Sequence, residues 1–85
     1  MTLELKVAQE LYDILLKLRA DNDKHLVEVT LRYRQKAEDQ STALEKSVLR
    51  KTVMVDLEKY LPTPYLTSSQ SFYLRKFWTF NLTVH

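Results

Sequence analysis

The chain has 85 residues and not one glycine, where an average domain of this length carries about six. Glycine lets a backbone take positive φ without steric cost and approach a phosphate closely. Its absence removes the Gly-rich loops of P-loop and dinucleotide-binding proteins. Turns have to rely on Asn, Asp, Ser and Pro. Cysteine is also absent, which excludes a disulfide framework and any thiolate metal site and fits a reducing, intracellular setting. A mass of 10.1 kDa allows one small domain, and so short a chain buries only about 60–65% of its unfolded surface. With 45% hydrophobic and 28% charged residues, the balance is that of a globular chain rather than a disordered one. A net charge of +2 is too weak to argue alone for nucleic acid or an anionic membrane. No apolar run reaches the ~20 residues that span a bilayer, and the opening Met1-Thr2-Leu3-Glu4-Leu5-Lys6 lacks the order of a signal peptide.

Composition divides the chain into a charged half, 1–50, and a half rich in β-formers, 51–85. Val7, Leu11, Ile14 and Leu18 recur at spacings of four, three and four, a heptad seam widened by Ala8 and Leu15. The seam predicts a helix over 2–20, with Asp13 and Lys17 as a favourable i,i+4 pair. Asp21-Asn22-Asp23 breaks the pattern, and Asp23 is a candidate N-cap. Between 24 and 50 two periods compete. Val27, Val29, Leu31 and Tyr33 alternate with polar residues as in a strand, whereas Leu26, Val29, Tyr33, Ala37, Leu44 and Val48 keep helical spacing. Residues 34–47 are rich in helix formers. The prediction is a helix over 24–49, interrupted near Ser41, where Thr42 and Glu45 could form a new capping box.

In the second half the period changes. Val53, Val55 and Leu57 alternate with Thr52, Met54 and Asp56, a short strand. Leu61-Pro62-Thr63-Pro64 ends it, because Pro cannot donate a ladder hydrogen bond. From Phe72 onward, Phe72, Leu74, Lys76, Trp78, Phe80, Leu82 and Val84 would lie on one face of a long second strand, bulged near Lys76. The expected fold class is therefore α+β: two N-terminal helices followed by a two-stranded antiparallel β-hairpin over 51–85. Ending at His85, inside a β-rich pattern, reads as truncation.

The sharpest chemical feature is an acid within an apolar strand, Val53-Met54-Val55-Asp56-Leu57. A buried carboxylate is costly unless it is paired or bound to metal. An Asp at the end of a central strand is how two-metal phosphoryl-transfer enzymes hold Mg²⁺ or Mn²⁺. The alternative is that Asp56 faces solvent or caps the following loop.

Val55-Asp56-Leu57-Glu58 through Leu61-Pro62-Thr63-Pro64-Tyr65-Leu66-Thr67, followed by Phe72-Tyr73-Leu74-Arg75-Lys76-Phe77-Trp78-Thr79-Phe80-Asn81 and His85, resembles a family of uncharacterised, transposon-derived proteins abundant in insects. Those proteins carry Asp-Leu-Gln, then Leu-Pro-x-Pro-x-Leu-Thr, then Phe-Tyr-x-Arg-x-Leu-Trp-x-Tyr-Asn and a His, with a highly charged helix in front, as 34–50 is here. Glu58 stands where the family usually has Gln, and its His-rich helix start is reduced to His25. The family is similar to RNase H-like, DDE-type transposases. The resemblance implies that 52–58 is the first strand of such a sheet and 71–85 the second. It implies that Asp56 is the first catalytic, metal-binding carboxylate for Mg²⁺ or Mn²⁺, vestigial here because the later carboxylates are missing. DNA as partner and the nucleus as location follow from the same resemblance.

Other candidates carry less. His25 and His85 lie in different elements, and Ser68 and Ser69 have no base beside them in sequence. Arg32, Arg34, Lys36, Arg50, Lys51, Arg75 and Lys76 are candidates for phosphate contact, the alternative being a solvated face with interleaved acids. The aromatic residues from Phe72 to Phe80 could stack bases or pair across strands. Two functional expectations result. One is a transposase-derived fragment without catalysis of its own, retaining DNA or protein contact. The other is a helical interaction module that dimerises as a short coiled coil through the Val7–Leu18 seam.

Overall fold

A computed structural model describes residues 2–17, 24–39, 42–60 and 66–83. These form four helices and no strand: α1 (Leu3–Lys17), α2 (Lys24–Lys36), α3 (Ala43–Tyr60) and α4 (Ser68–Thr83). The expected β-hairpin over 51–85, and with it the α+β class and the opening of an RNase H-like sheet, is overturned: 51–60 continues α3, and 68–83 is helix.

The helical period explains the correction. Val53 and Leu57, four residues apart, are fully buried, whereas Val55 between them is 58% exposed. A strand would have put all three on one side. In α4 the inward residues are Tyr73, Leu74, Phe77, Trp78 and the buried Asn81, an i, i+4 and i+3 pattern rather than an alternation. Apolar residues are so dense between 72 and 82 that both periods fit the sequence. Tertiary packing decides, because a helix satisfies its own backbone while an isolated hairpin leaves two open edges.

Helix ends are closed without glycine. The Thr2 hydroxyl caps α1, accepting from the Leu5 amide at 3.2 Å. At α4 the capping box is complete: the Gln70 amide donates to Thr67 Oγ1 at 3.1 Å, and the Thr67 amide donates to Gln70 Oε1 at 3.0 Å. The C-terminus of α2 is closed by tight i→i−3 bonds from the Glu38 and Asp39 amides to the Gln35 and Lys36 carbonyls, where other helices use a left-handed glycine. The chain re-enters a helix at Thr42, whose hydroxyl donates to the Asp39 carbonyl at 2.9 Å. Glu45, expected to complete a capping box with Thr42, pairs instead with Lys36 across the turn at 3.4 Å.

Each helix packs on two neighbours, α1 on α2 and α4, and α3 on α2 and α4, so the four form a ring. One hydrophobic cluster draws on all of them: Leu5, Val7, Leu11 and Leu15 of α1, Leu26, Val29 and Tyr33 of α2, Leu49, Val53 and Leu57 of α3, and Phe77 of α4. Tyr33 and Phe77 meet edge to face across one diagonal, centroids 5.8 Å apart, a preferred aromatic geometry. Thr30, fully buried in α2, donates its hydroxyl to the Leu26 carbonyl at 2.8 Å, so it brings no unsatisfied group into the core.

Candidate functional site

Two assemblies of polar residues stand out, one inside the ring and one on its surface. Inside, Glu4 of α1 reaches across the second diagonal to α3. Its carboxylate accepts from Lys46 Nζ at 3.1 Å through one oxygen and from the Arg50 guanidinium through the other. Lys46 and Arg50 are four residues apart, on the same inward face as Leu49 and Val53. Their side chains are 10% and 5% exposed and that of Glu4 17%, so the cluster is desolvated and carries one excess positive charge. Tyr33 lies beside it, and burial pushes its phenol well above the usual tyrosine value, with the Glu4 charge acting in the same direction and Arg50 against it. The Tyr33 hydroxyl feels both charges yet has no hydrogen-bond partner of good geometry among the described residues, and Arg50 Nε and Asn81 Oδ1 are likewise unmatched there. Asn81 Nδ2 lies 2.7 Å from Met54 Sδ.

On the surface, the outer face of α4 carries Phe72, Arg75, Lys76 and Thr79 at i, i+3, i+4 and i+7, lining an open groove of about 330 Å³. Lys76 Nζ sits 5.4 Å from the centre of the Phe72 ring, a cation–π contact. The Thr79 hydroxyl donates to the Arg75 carbonyl at 3.0 Å, which leaves the Arg75 guanidinium, with the Lys76 ammonium resting on Phe72, as the groove's donors that form no ion pair among the described residues. Ser68–Thr83 contains no Asp or Glu, and the last acid of the chain is Glu58. All of the net positive charge therefore belongs to residues 59–85. A second open groove, of about 320 Å³, is lined by Leu16, Lys24, Val27 and Glu28, charges of both signs that favour no one ligand.

The candidate residues from the sequence separate on this frame. Arg75 and Lys76 come together. Arg50 is committed to Glu4, Lys36 to Glu45 at 3.4 Å, and Arg34 to the face of Tyr12 at 5.6 Å. Arg32 and Lys51 are exposed on different helices. Asp56 is half-buried on α3 rather than at the end of a strand, which removes the ground on which it was expected to hold a cation. Among the described residues no group of three or more His, Asp or Glu could hold a metal ion. Val7, Leu11 and Ile14 of the seam are buried within the chain itself, while Leu18 lies outside the described residues. His25, Ser68 and Ser69 are exposed; His85 and the Leu61–Pro64 run also lie outside them.

Sequence reasoning missed the inner cluster. Its one signal was two basic residues at helical spacing, Lys46 and Arg50, in phase with Leu49, Val53 and Leu57 rather than with exposed positions. Comparison with protein-family models, with curated proteins and with solved structures finds no match. No described helix is long and apolar enough to cross a membrane.

Proposed function

We propose that this chain is a non-catalytic contact module that holds a nucleic-acid backbone against the outer face of α4. The observation that carries the reading is the convergence of Arg75 and Lys76 beside Phe72 on a helix with no acid. Two cations on one face attract phosphate, and no carboxylate on that helix repels it. Phe72 adds an apolar surface on which a sugar or base can rest. With only two phosphates neutralised, binding is weak and salt-sensitive. The resemblance of 55–85 to transposon-derived proteins supports DNA as the polyanion and, with it, a nuclear location. Catalysis is not part of the proposal, because the strand that would have held Asp56 is a helix. Dimerisation through the Val7–Leu18 seam would compete with the chain's own core, which already covers Val7, Leu11 and Ile14.

The test is fluorescence anisotropy with a labelled 20-bp duplex across a salt series. The expected slope of log K against log salt is about −1.8, the value for two phosphate contacts. Arg75→Gln with Lys76→Gln should bring it near zero, and Arg32→Gln with Lys51→Gln should leave it unchanged. Equal loss from both pairs would show diffuse attraction and refute a site on α4.

A further inference from the structure

Helix α3 is apolar on two opposite sides. Its inner side supplies Leu49, Val53 and Leu57 to the core; its outer side presents Leu44, Val48 and Val55, exposed by 82%, 56% and 58%. Lys51 falls between them, so 44, 48, 51 and 55 run at spacings of four, three and four, the same arithmetic that marks a helix-pairing seam. The row is about 17 Å long at 1.5 Å per residue. It accounts for the lack of one-sided polarity in α3, which the core alone does not explain. Thr52, at its edge, turns its hydroxyl back to the Val48 carbonyl at 3.0 Å and leaves the row uncrossed by a free polar group other than Lys51.

We infer that this outer row of α3 docks an amphipathic helix of a partner protein, one that opposes Leu44, Val48 and Val55 with apolar side chains and Lys51 with a carboxylate. The charge pattern selects that occupant. Lys51 has Ser47, Val48, Met54 and Val55 at its i±3 and i±4 positions and forms no ion pair among the described residues. A cation in the middle of an apolar row gains most from an acid on the facing helix, where both are partly desolvated. A second copy of this chain is disfavoured on the same ground. Parallel pairing sets Lys51 against Lys51, and antiparallel pairing that matches Val48 with Val55 brings both Lys51 ammonium groups to the two-fold axis. Three exposed aliphatic side chains and a lysine stem make a patch of roughly 300 Å², the lower end of functional patches, so the complex is transient rather than obligate. This surface is separate from the groove on α4, and the inference stands independently of nucleic-acid binding.

The experiment uses the full 85-residue chain, isotope-labelled, and two designed 18-residue helical peptides. Both carry Leu at i, i+4 and i+11 on a polar background; one has Glu and the other Lys at i+7. Amide shift changes on titration should cluster on Leu44, Val48, Lys51 and Val55, with the Glu peptide binding at least tenfold more tightly. Lys51→Glu should reverse that preference, and Val48→Gln, an exposed change that leaves the core intact, should weaken both peptides. Shift changes elsewhere, or an unreversed preference in Lys51→Glu, would overturn the proposal. So would concentration-dependent dimerisation abolished by Val48→Gln, which would make the row a self-association seam. Binding of phosphatidylserine vesicles through the same residues with no peptide preference would overturn it too, assigning the row to a lipid surface.

Discussion

Replacing Glu4 by Gln keeps the shape of the side chain and removes the one negative charge that, among the described residues, pairs with Lys46 and Arg50 in the cluster that spans α1 and α3. The two cations would then be left together, 10% and 5% exposed, with an amide oxygen in place of a carboxylate. Removing one partner of a buried ion pair typically costs about 3–5 kcal/mol, because the remaining charge loses water and gains nothing in return. The partial exposure of Glu4 argues for the lower end. A domain of this length has a total stability of roughly 4–13 kcal/mol, so the loss is a large share of it. With a urea slope near 1 kcal/mol per M for so small a protein, the unfolding midpoint should fall by about 3 M. Circular dichroism at 222 nm reads this directly. A second variant separates lost charge from lost packing. Glu4→Leu with Lys46→Met and Arg50→Met removes all three charges at similar volume and should return stability to within about 1 kcal/mol of the parent or above it, as apolar replacement of buried ion clusters commonly does. A Glu4→Gln variant within about 0.5 kcal/mol of the parent would mean that Lys46 and Arg50 reach water, and the desolvation argument would be wrong.

Two further outcomes follow from the same structure. Tyr33→Phe removes a buried hydroxyl that has no hydrogen-bond partner of good geometry among the described residues, so stability at neutral pH should stay level or rise by up to about 1 kcal/mol. Its effect on alkaline stability is distinctive: the folded-state value of Tyr33 is raised above 10.0, so the contribution is intact below pH 10 and is lost as pH rises further, by about 1.4 kcal/mol per unit. Urea titrations at pH 8, 10 and 11 should show a shallower alkaline decline in the variant than in the parent, and parallel curves would contradict the buried placement. Thr67→Ala removes the hydroxyl that accepts from the Gln70 amide and should cost about 1 kcal/mol, lowering Tm by about 4–8 °C; Thr67→Ser should restore most of it.

What could be read from the sequence divides along a physical line. Between 3 and 17 the buried residues Leu5, Val7, Ala8, Leu11, Ile14 and Leu15 recur at helical spacing, and although Leu3 and Leu16 lie outside their stripe and Glu4 turns inward, only the helical period fits the whole segment. Between 51 and 83 apolar residues occupy positions on every side: Val53 and Leu57 inward with Val55 outward, Phe77 inward with Phe72 and Leu82 outward. An outward apolar residue adds a false beat, and alternation then matches as well as the helix does. Both failures have one origin, side chains whose placement is not set by the need to leave water. The inner cluster is the mirror case. Lys46 and Arg50 are charged yet point inward, and a scan that assigns charge to the surface passes over them. Glu4 makes that placement tolerable from 42 and 46 residues away, separations that no local window spans. The positions that misled the reading of the sequence, Val55 outside and Lys46 and Arg50 within, are therefore where function or specificity is to be sought, since packing alone requires neither placement.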